Sequence, residues 1–155
     1  MIDQTDRKLL RLLQQNSTLT NAELAQHINT SVSQAGRRKH RLESKGYIVG
    51  HRAQLSPEHL GLGIEAFIEV ALSWHHTDTI RPFHTLLQDR DEIIGVWALT
   101  GQADYLLHVY CTDLKQLNHL VHEVLLRNSA VSKVESKIVM SQIKDQQALP
   151  IPSTV

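Results

Sequence analysis

The sequence predicts an α+β protein in which a helix-turn-helix precedes a ferredoxin-like β-α-β-β-α-β domain. Three observations carry this expectation. The first third holds three short helical stripes separated by capping signatures, and the rest alternates strand and helix patterns in the order just given. The charge divides along the same line. Residues 1–52 hold nine Lys and Arg against four acids, a net +5, while the remainder holds seven against twelve, a net −5. A formal net charge of zero thus conceals a basic head on an acidic body. The boundaries that follow are residues 1–50 for the helix-turn-helix, 51–60 for a connecting segment and 61–155 for the second domain, a division that 155 residues accommodate.

From Asp3 to Gln15, Leu9, Leu10, Leu12 and Leu13 fall on one helical stripe, which Asn16-Ser17-Thr18 breaks. Thr20-Asn21-Ala22-Glu23 is a capping box, in which the hydroxyl accepts from the Glu23 amide and the Glu23 side chain reaches back. The helix it opens buries Leu24, Ala25 and Ile28, and Asn29 tolerates the left-handed conformation that a helix end often needs. Ser31-Val32-Ser33-Gln34 repeats the device. On this last helix Val32, Ala35 and Leu42 sit at core spacing, leaving Ser33, Gln34, Arg37, Arg38 and Arg41 for the outer face. A basic outer face on the second helix of such a pair suits the major groove, where arginine addresses guanine edges bidentately or contacts phosphates. An ordinary solvated face would need the two caps, the short turn and the arginine cluster to coincide by accident. Lys45-Gly46 ends the helix, and Tyr47 to Leu55 reads as an extended connecting strand punctuated by Ser56-Pro57.

In the second domain Ile64 to Ser73 alternates, with Ile64, Ala66, Ile68, Val70 and Leu72 on one face and Glu65 and Glu69 on the other. Thr79 to Gln88 carries Ile80, Phe83, Leu86 and Leu87 at helical spacing. Ile93 to Thr100 and Asp104 to Cys111 are strands around the turn Gly101-Gln102-Ala103. Asp113 caps a helix with the stripe Leu114, Leu117, Leu120, Val121, Val124 and Leu125. Val131 to Ile143 closes the domain as a strand with Val134, Ser136, Ile138 and Met140 on one face. Helices cover one face of such a sheet, so Phe67, Trp97 and Tyr110 imply a second subunit on the other.

Other classes are disfavoured. No apolar run approaches the roughly 18–20 residues that span a bilayer, and the acidic N-terminus lacks the basic and apolar regions of a signal peptide, so the cytoplasm is the expected location. The single cysteine, Cys111, lies in an apolar strand and reads as a buried structural thiol. Among ten histidines, His75-His76 and the pair His119/His122 invite a metal reading, but no third ligand converges by spacing, and no metal or cofactor is expected. No nucleophile–base pair or phosphate loop is evident, which leaves a ferredoxin-like small-molecule enzyme with a helical protein-interaction appendage as the alternative.

The chain resembles the leucine-responsive regulator (Lrp/AsnC, or feast/famine) family from end to end. The resemblance rests on Asp6-Arg7-Lys8-Leu9-Leu10, Asn21-Ala22-Glu23-Leu24-Ala25, Ser31-Val32-Ser33, Arg37-Arg38, Arg41-Leu42-Glu43, Gly46-Tyr47-Ile48, Leu60-Gly61, Thr100 to Leu107 and Leu149-Pro150, in this order and spacing. It implies a winged-type helix-turn-helix joined to an amino-acid-binding domain, dimers formed through the sheet, and tetramers or octamers around which double-stranded DNA bends. The expected DNA-contacting set is Ser31, Ser33, Gln34, Arg37, Arg38, Lys39 and Arg41. Gly36 and Lys39 depart from the family, standing where apolar residues are usual; Lys39 can lay its stem on the core and reach phosphate. The resemblance also places the loop containing Thr100, Gly101, Gln102, Asp104 and Tyr105 beside the effector pocket, with a carboxylate for an ammonium group and backbone amides for a carboxylate. Without the resemblance this segment reads as a plain hairpin turn.

Overall fold

The computed structural model describes residues 2–73, 77–144 and 148–152, and the chain divides into two compact units. His75 and His76 lie outside the described residues.

The first unit comprises Met1–Gln54 with Ile143–Val155. Its helices are α1 (Gln4–Gln15), α2 (Asn21–His27) and α3 (Val32–Ser44). Each begins where a side chain satisfies amide donors that a helix start leaves open. Asp3 and Asp6 form a capping box on α1, Thr20 and Glu23 form one on α2, and Ser31 Oγ accepts from the Gln34 amide on α3. Asn29 adopts φ 52°, turning the chain between α2 and α3, and Gly46 at φ 75° ends α3. Leu9, Leu13, Leu24, Ala25, Ile28, Ala35 and Leu42 make the core, with Leu10 and Leu12 partly buried against it. Val32, which the spacing assigns to that core, is 52% exposed because it is the first residue of α3 and precedes the turn that packs. Residues 47–55 run without strand pairing, since no neighbouring strand reaches them among the described residues.

The tail is placed differently from the sequence expectation, which put it in the second domain. The Gln14 side chain donates from Nε2 to the Leu149 carbonyl (3.2 Å) and accepts at Oε1 from the Leu149 amide (2.6 Å), tying the tail to the end of α1.

The second unit, Leu55–Gln142, contains β1 (Ile64–Leu72), α4 (Thr77–Gln88), β2 (Ile93–Ala98), β3 (Tyr105–Cys111), α5 (Leu114–His119) and β4 (Val131–Ile138). The strands form one antiparallel sheet in the order β2-β3-β1-β4, the order of a ferredoxin-like fold. Alternation sends Ala66, Ile68, Val70 and Leu72 of β1 and Leu107, Val109 and Cys111 of β3 into a core shared with Phe83, Leu87, Leu117, Leu120, Val124 and Leu125. Burial raises the pKa of the Cys111 thiol above its ordinary value, an inert setting for a cysteine. After α5 the helix widens over Leu120–Leu125, where the Leu126 amide reaches the Val121 carbonyl five residues back at 2.9 Å. The buried stripe starts at Leu117; Leu114, expected within it, is 58% exposed. β4 stops at Ile138, short of the expected Ile143, because Ile138 pairs with Ala66 near the start of β1 and little partner strand remains beyond it.

The register puts Glu65, Phe67 and Glu69 of β1, Trp97 of β2, and Leu106, His108 and Tyr110 of β3 on the face away from this core. Phe67 stacks on His108 with ring centroids 4.5 Å apart, and His108 Nε2 lies 2.6 Å from Glu65 Oε1. Burial, followed by a hydrogen bond with Glu65, raises the Tyr110 pKa, and Glu69 raises that of its ion-pair partner Lys137. Trp97 is 50% exposed and lies over Gly95, where a Cβ would come within 2.4 Å of the indole.

Candidate nucleic-acid interface and effector loop

On α3, Gln34, Arg37, Arg38 and Arg41 follow one another at i, i+3, i+4 and i+7, so a single helical face carries all four. They line a depression of about 340 Å³. Arg37 is exposed, whereas Arg38 and Arg41 are held from beneath. Arg38 Nη1 donates to Asp3 Oδ2 (2.6 Å) and Asp6 Oδ1 (2.8 Å), and Arg41 Nη2 donates to Asp6 Oδ2 (2.5 Å). Asp6 is fully buried, while the arginine side chains remain 30% and 45% exposed. The capping box of α1 thus also anchors the arginines of α3. The Asp6 amide, and next the Arg38 side chain, hold the Asp3 carboxyl below its ordinary pKa; Asp3 and then Asp6 raise that of Arg38.

The other expected DNA-contacting residues are placed as follows. Ser33 and Gln34 are exposed on the first turn of α3. Ser31 Oγ lies 3.2 Å from Ser33 Oγ while capping the helix, and Gln34 Oε1 accepts from the Thr30 hydroxyl. Lys39 is half-buried. Gly36 has a packing reason: a Cβ there would meet Asn21 Nδ2 of α2 at 3.0 Å. Asn21 is exposed and this atom is the end of its side chain, so the contact is tight, and the roughly 1 kcal/mol that glycine costs inside a helix stands beside it. Asp3 and Asp6 were not foreseen as members of the site. The local signal available was the Asp3-x-x-Asp6 spacing of a capping box, which says nothing of arginines more than thirty positions away.

The loop between β2 and β3 turns at Gly101, whose φ of 118° favours glycine, and leaves Thr100, Gly101 and Gln102 exposed. Asp104 is fixed. Its carbonyl accepts from the Leu99 amide (2.8 Å), its amide donates to the Val70 carbonyl (2.9 Å), and its Oδ2 accepts from the Leu72 amide (2.7 Å). That last bond satisfies the Leu72 amide on the β3 side, just past the last registered pair of the two strands, Val70 with Tyr105. Tyr105 turns toward α4, with its hydroxyl 2.8 Å from His84 Nε2 and its ring 5.7 Å from that of Phe83. Burial, and then the neighbouring Asp104, raise its pKa. The structure therefore brings Asp104 and Tyr105 to the base of the loop, engaged with β1 and α4, and leaves Thr100 to Gln102 at its tip. Asp104→Ala is expected to cost about 1–3 kcal/mol by stranding the Leu72 amide, with faster hydrogen exchange at Leu72 than in the centre of β1. Unchanged exchange at Leu72 would show that the carboxylate is dispensable to the strand.

Comparison with known proteins agrees with this architecture. A winged helix-turn-helix DNA-binding model matches residues 2–49, and the Lrp/AsnC ligand binding domain model matches residues 65–149. The chain belongs to the Lrp/AsnC family. This Lrp/AsnC protein is 36% identical over 151 residues to the DNA-binding transcriptional activator DecR of Escherichia coli K12, covering 97% of this chain and 99% of that one. It is 31% identical over 150 residues to the leucine-responsive regulatory protein of the same organism, covering 97% and 92%. Among solved structures, the transcriptional regulator NMB0573 of Neisseria meningitidis, in complex with L-Met, superposes with a TM-score of 0.92 at 37% identity over 97% of each chain. An AsnC family transcriptional regulator from Agrobacterium tumefaciens follows with a TM-score of 0.88 at 28% identity, covering 96% and 97%.

Proposed function

We propose that this chain is a cytoplasmic, sequence-specific DNA-binding transcriptional regulator, without enzymatic activity, whose assembly or DNA affinity is set by an amino acid or a close relative. The observation that carries the reading is the basic face of α3, where Gln34, Arg37, Arg38 and Arg41 converge on the second helix of a helix-turn-helix. DNA contacts then fall to these four with Ser31, Ser33 and Lys39, and effector contacts to Thr100, Gly101, Gln102, Asp104 and Tyr105. The relatives are named as transcriptional regulators, and NMB0573 binds L-Met, which makes methionine the first effector to try. No helix among the described residues is long and apolar enough to cross a membrane. The sheet face carrying Phe67, Trp97, Leu106 and Tyr110 suits a homodimer, with tetramers or octamers built from dimers.

Thermal-shift screening of the full chain against the twenty amino acids tests the sensing role. A ligand at a hundred times its Kd stabilises by about 2.7 kcal/mol. Selection from a random-sequence duplex pool tests the DNA role, and light scattering tests the assembly. The expected result is one amino acid, or a few similar ones, that shift the melting temperature, an enriched sequence, and a species no smaller than a dimer. A monomer that enriches no sequence and responds to no amino acid would end the proposal.

A further inference from the structure

The carboxylates beneath the DNA face raise a question that binding alone does not answer. A helix built only to adhere to DNA gains nothing from two acids against its arginines, because each phosphate neutralised by an uncompensated cation adds affinity on every sequence. Here Asp3 and Asp6 compensate two of the three arginines in the cluster. The geometry is a holding device as well as a charge balance. Asp6 is sealed in the unit, and one of its oxygens serves each guanidinium, so the arginines are fixed at their inner edges and present only the outer ones. Arg37, exposed one turn from Arg41, has no ion pair to α1 among the described residues.

We propose that Asp3 and Asp6 are specificity-setting residues of the DNA interface, which fix Arg38 and Arg41 and restrain affinity for arbitrary duplex so that sequence decides binding. This rests on the reading of α3 as the helix that meets DNA. Unrestrained guanidiniums follow the phosphate backbone of any duplex; anchored ones reward only a duplex whose base edges or phosphates meet them where they stand. Asp3 and Asp6 are thus positioning residues that act through the arginines.

Asp3→Asn is the clean test, because asparagine caps a helix as well as aspartate does and Asp3 is half-exposed, so α1 keeps its start while the charge goes. Asp6→Asn is the stronger partner variant. Two probes serve: a duplex selected by the wild-type protein from a random pool, and a scrambled duplex of the same composition. Asp3→Asn is expected to bind the scrambled duplex roughly fivefold more tightly near physiological salt, with a log–log salt slope steeper by about 0.9, as one added phosphate contact gives. Affinity for the selected duplex rises less, so the ratio between the two falls. If both affinities drop together with an unchanged salt slope, the carboxylates only hold the fold and the inference is overturned. If Asp6→Asn fails to fold, Asp3→Asn still decides the matter. Arg37→Ala separates the inference from its premise: unchanged binding of both duplexes by that variant overturns the placement of α3 at DNA, and the inference with it.

Discussion

A chain carrying Arg38→Ala and Arg41→Ala is expected to lose about 3 kcal/mol of stability in its first unit before any DNA is added. Both guanidiniums serve the buried Asp6 carboxylate, and removing them strands a charge that no other side chain compensates among the described ion pairs. The loss sits at the low end for a broken buried pair because the arginines are partly solvated, so water can follow into the vacated space. For a unit of this size it corresponds to a fall in Tm of roughly 12–24 °C. Adding Asp6→Leu is expected to restore most of the stability, since the larger apolar side chain removes the stranded charge and fills part of the space the two guanidiniums vacate. It restores no DNA affinity, because the cations are still missing. Thermal unfolding and duplex titration of the double and triple variants separate the two effects. A double variant that melts like the wild type would show that Asp6 does not depend on these arginines.

Phe83→Ala is expected to cost about 3–5 kcal/mol in the second unit. Phe83 is fully buried on α4, and its ring lies 5.7 Å from that of Tyr105, the first residue of β3. Truncation leaves a void beneath Tyr105 and loosens the contact of its hydroxyl with His84, so the base of the loop between β2 and β3 is disturbed along with the core. Leu114→Ala provides the control. Both residues fall on apolar helical stripes in the sequence, but Leu114 is 58% exposed, and its truncation is expected to change stability by no more than about 0.5 kcal/mol. Chemical denaturation of the two variants measures the contrast directly, and equal losses would mean that the burial assigned to the two helices is wrong.

The division between local and distant partners decides which features could be read without coordinates. The capping boxes at Thr20 and Glu23, the Ser31 and Asp113 caps, the left-handed Asn29 and the alternation along β1 were all legible, because each is settled within about four residues. The four-strand order followed from the succession of elements. The basic face of α3 was legible too, since a 3.6-residue period fixes which side chains share it.

What surrounds those side chains was not. Asp6 lies more than thirty residues from the arginines it holds, and its place beneath them follows from how α1 packs on α3. Asp104 reads in the sequence as a loop carboxylate, but β1 arrives beside it and its oxygen goes to the Leu72 amide. Gly36 reads in the sequence as a weakness, and only the packing of α2 on α3 brings the tip of the Asn21 side chain to 3.0 Å from where a Cβ would stand. β4 has apolar alternation out to Met140, yet it ends at Ile138 because a ladder extends only as far as its neighbour. The sequence by itself determined the helix starts, the faces and the order of the strands, which depend on adjacent atoms and fixed periods. Only the tertiary structure decided the partner of each charged group, because a buried carboxylate is satisfied by whatever packing brings within hydrogen-bonding distance.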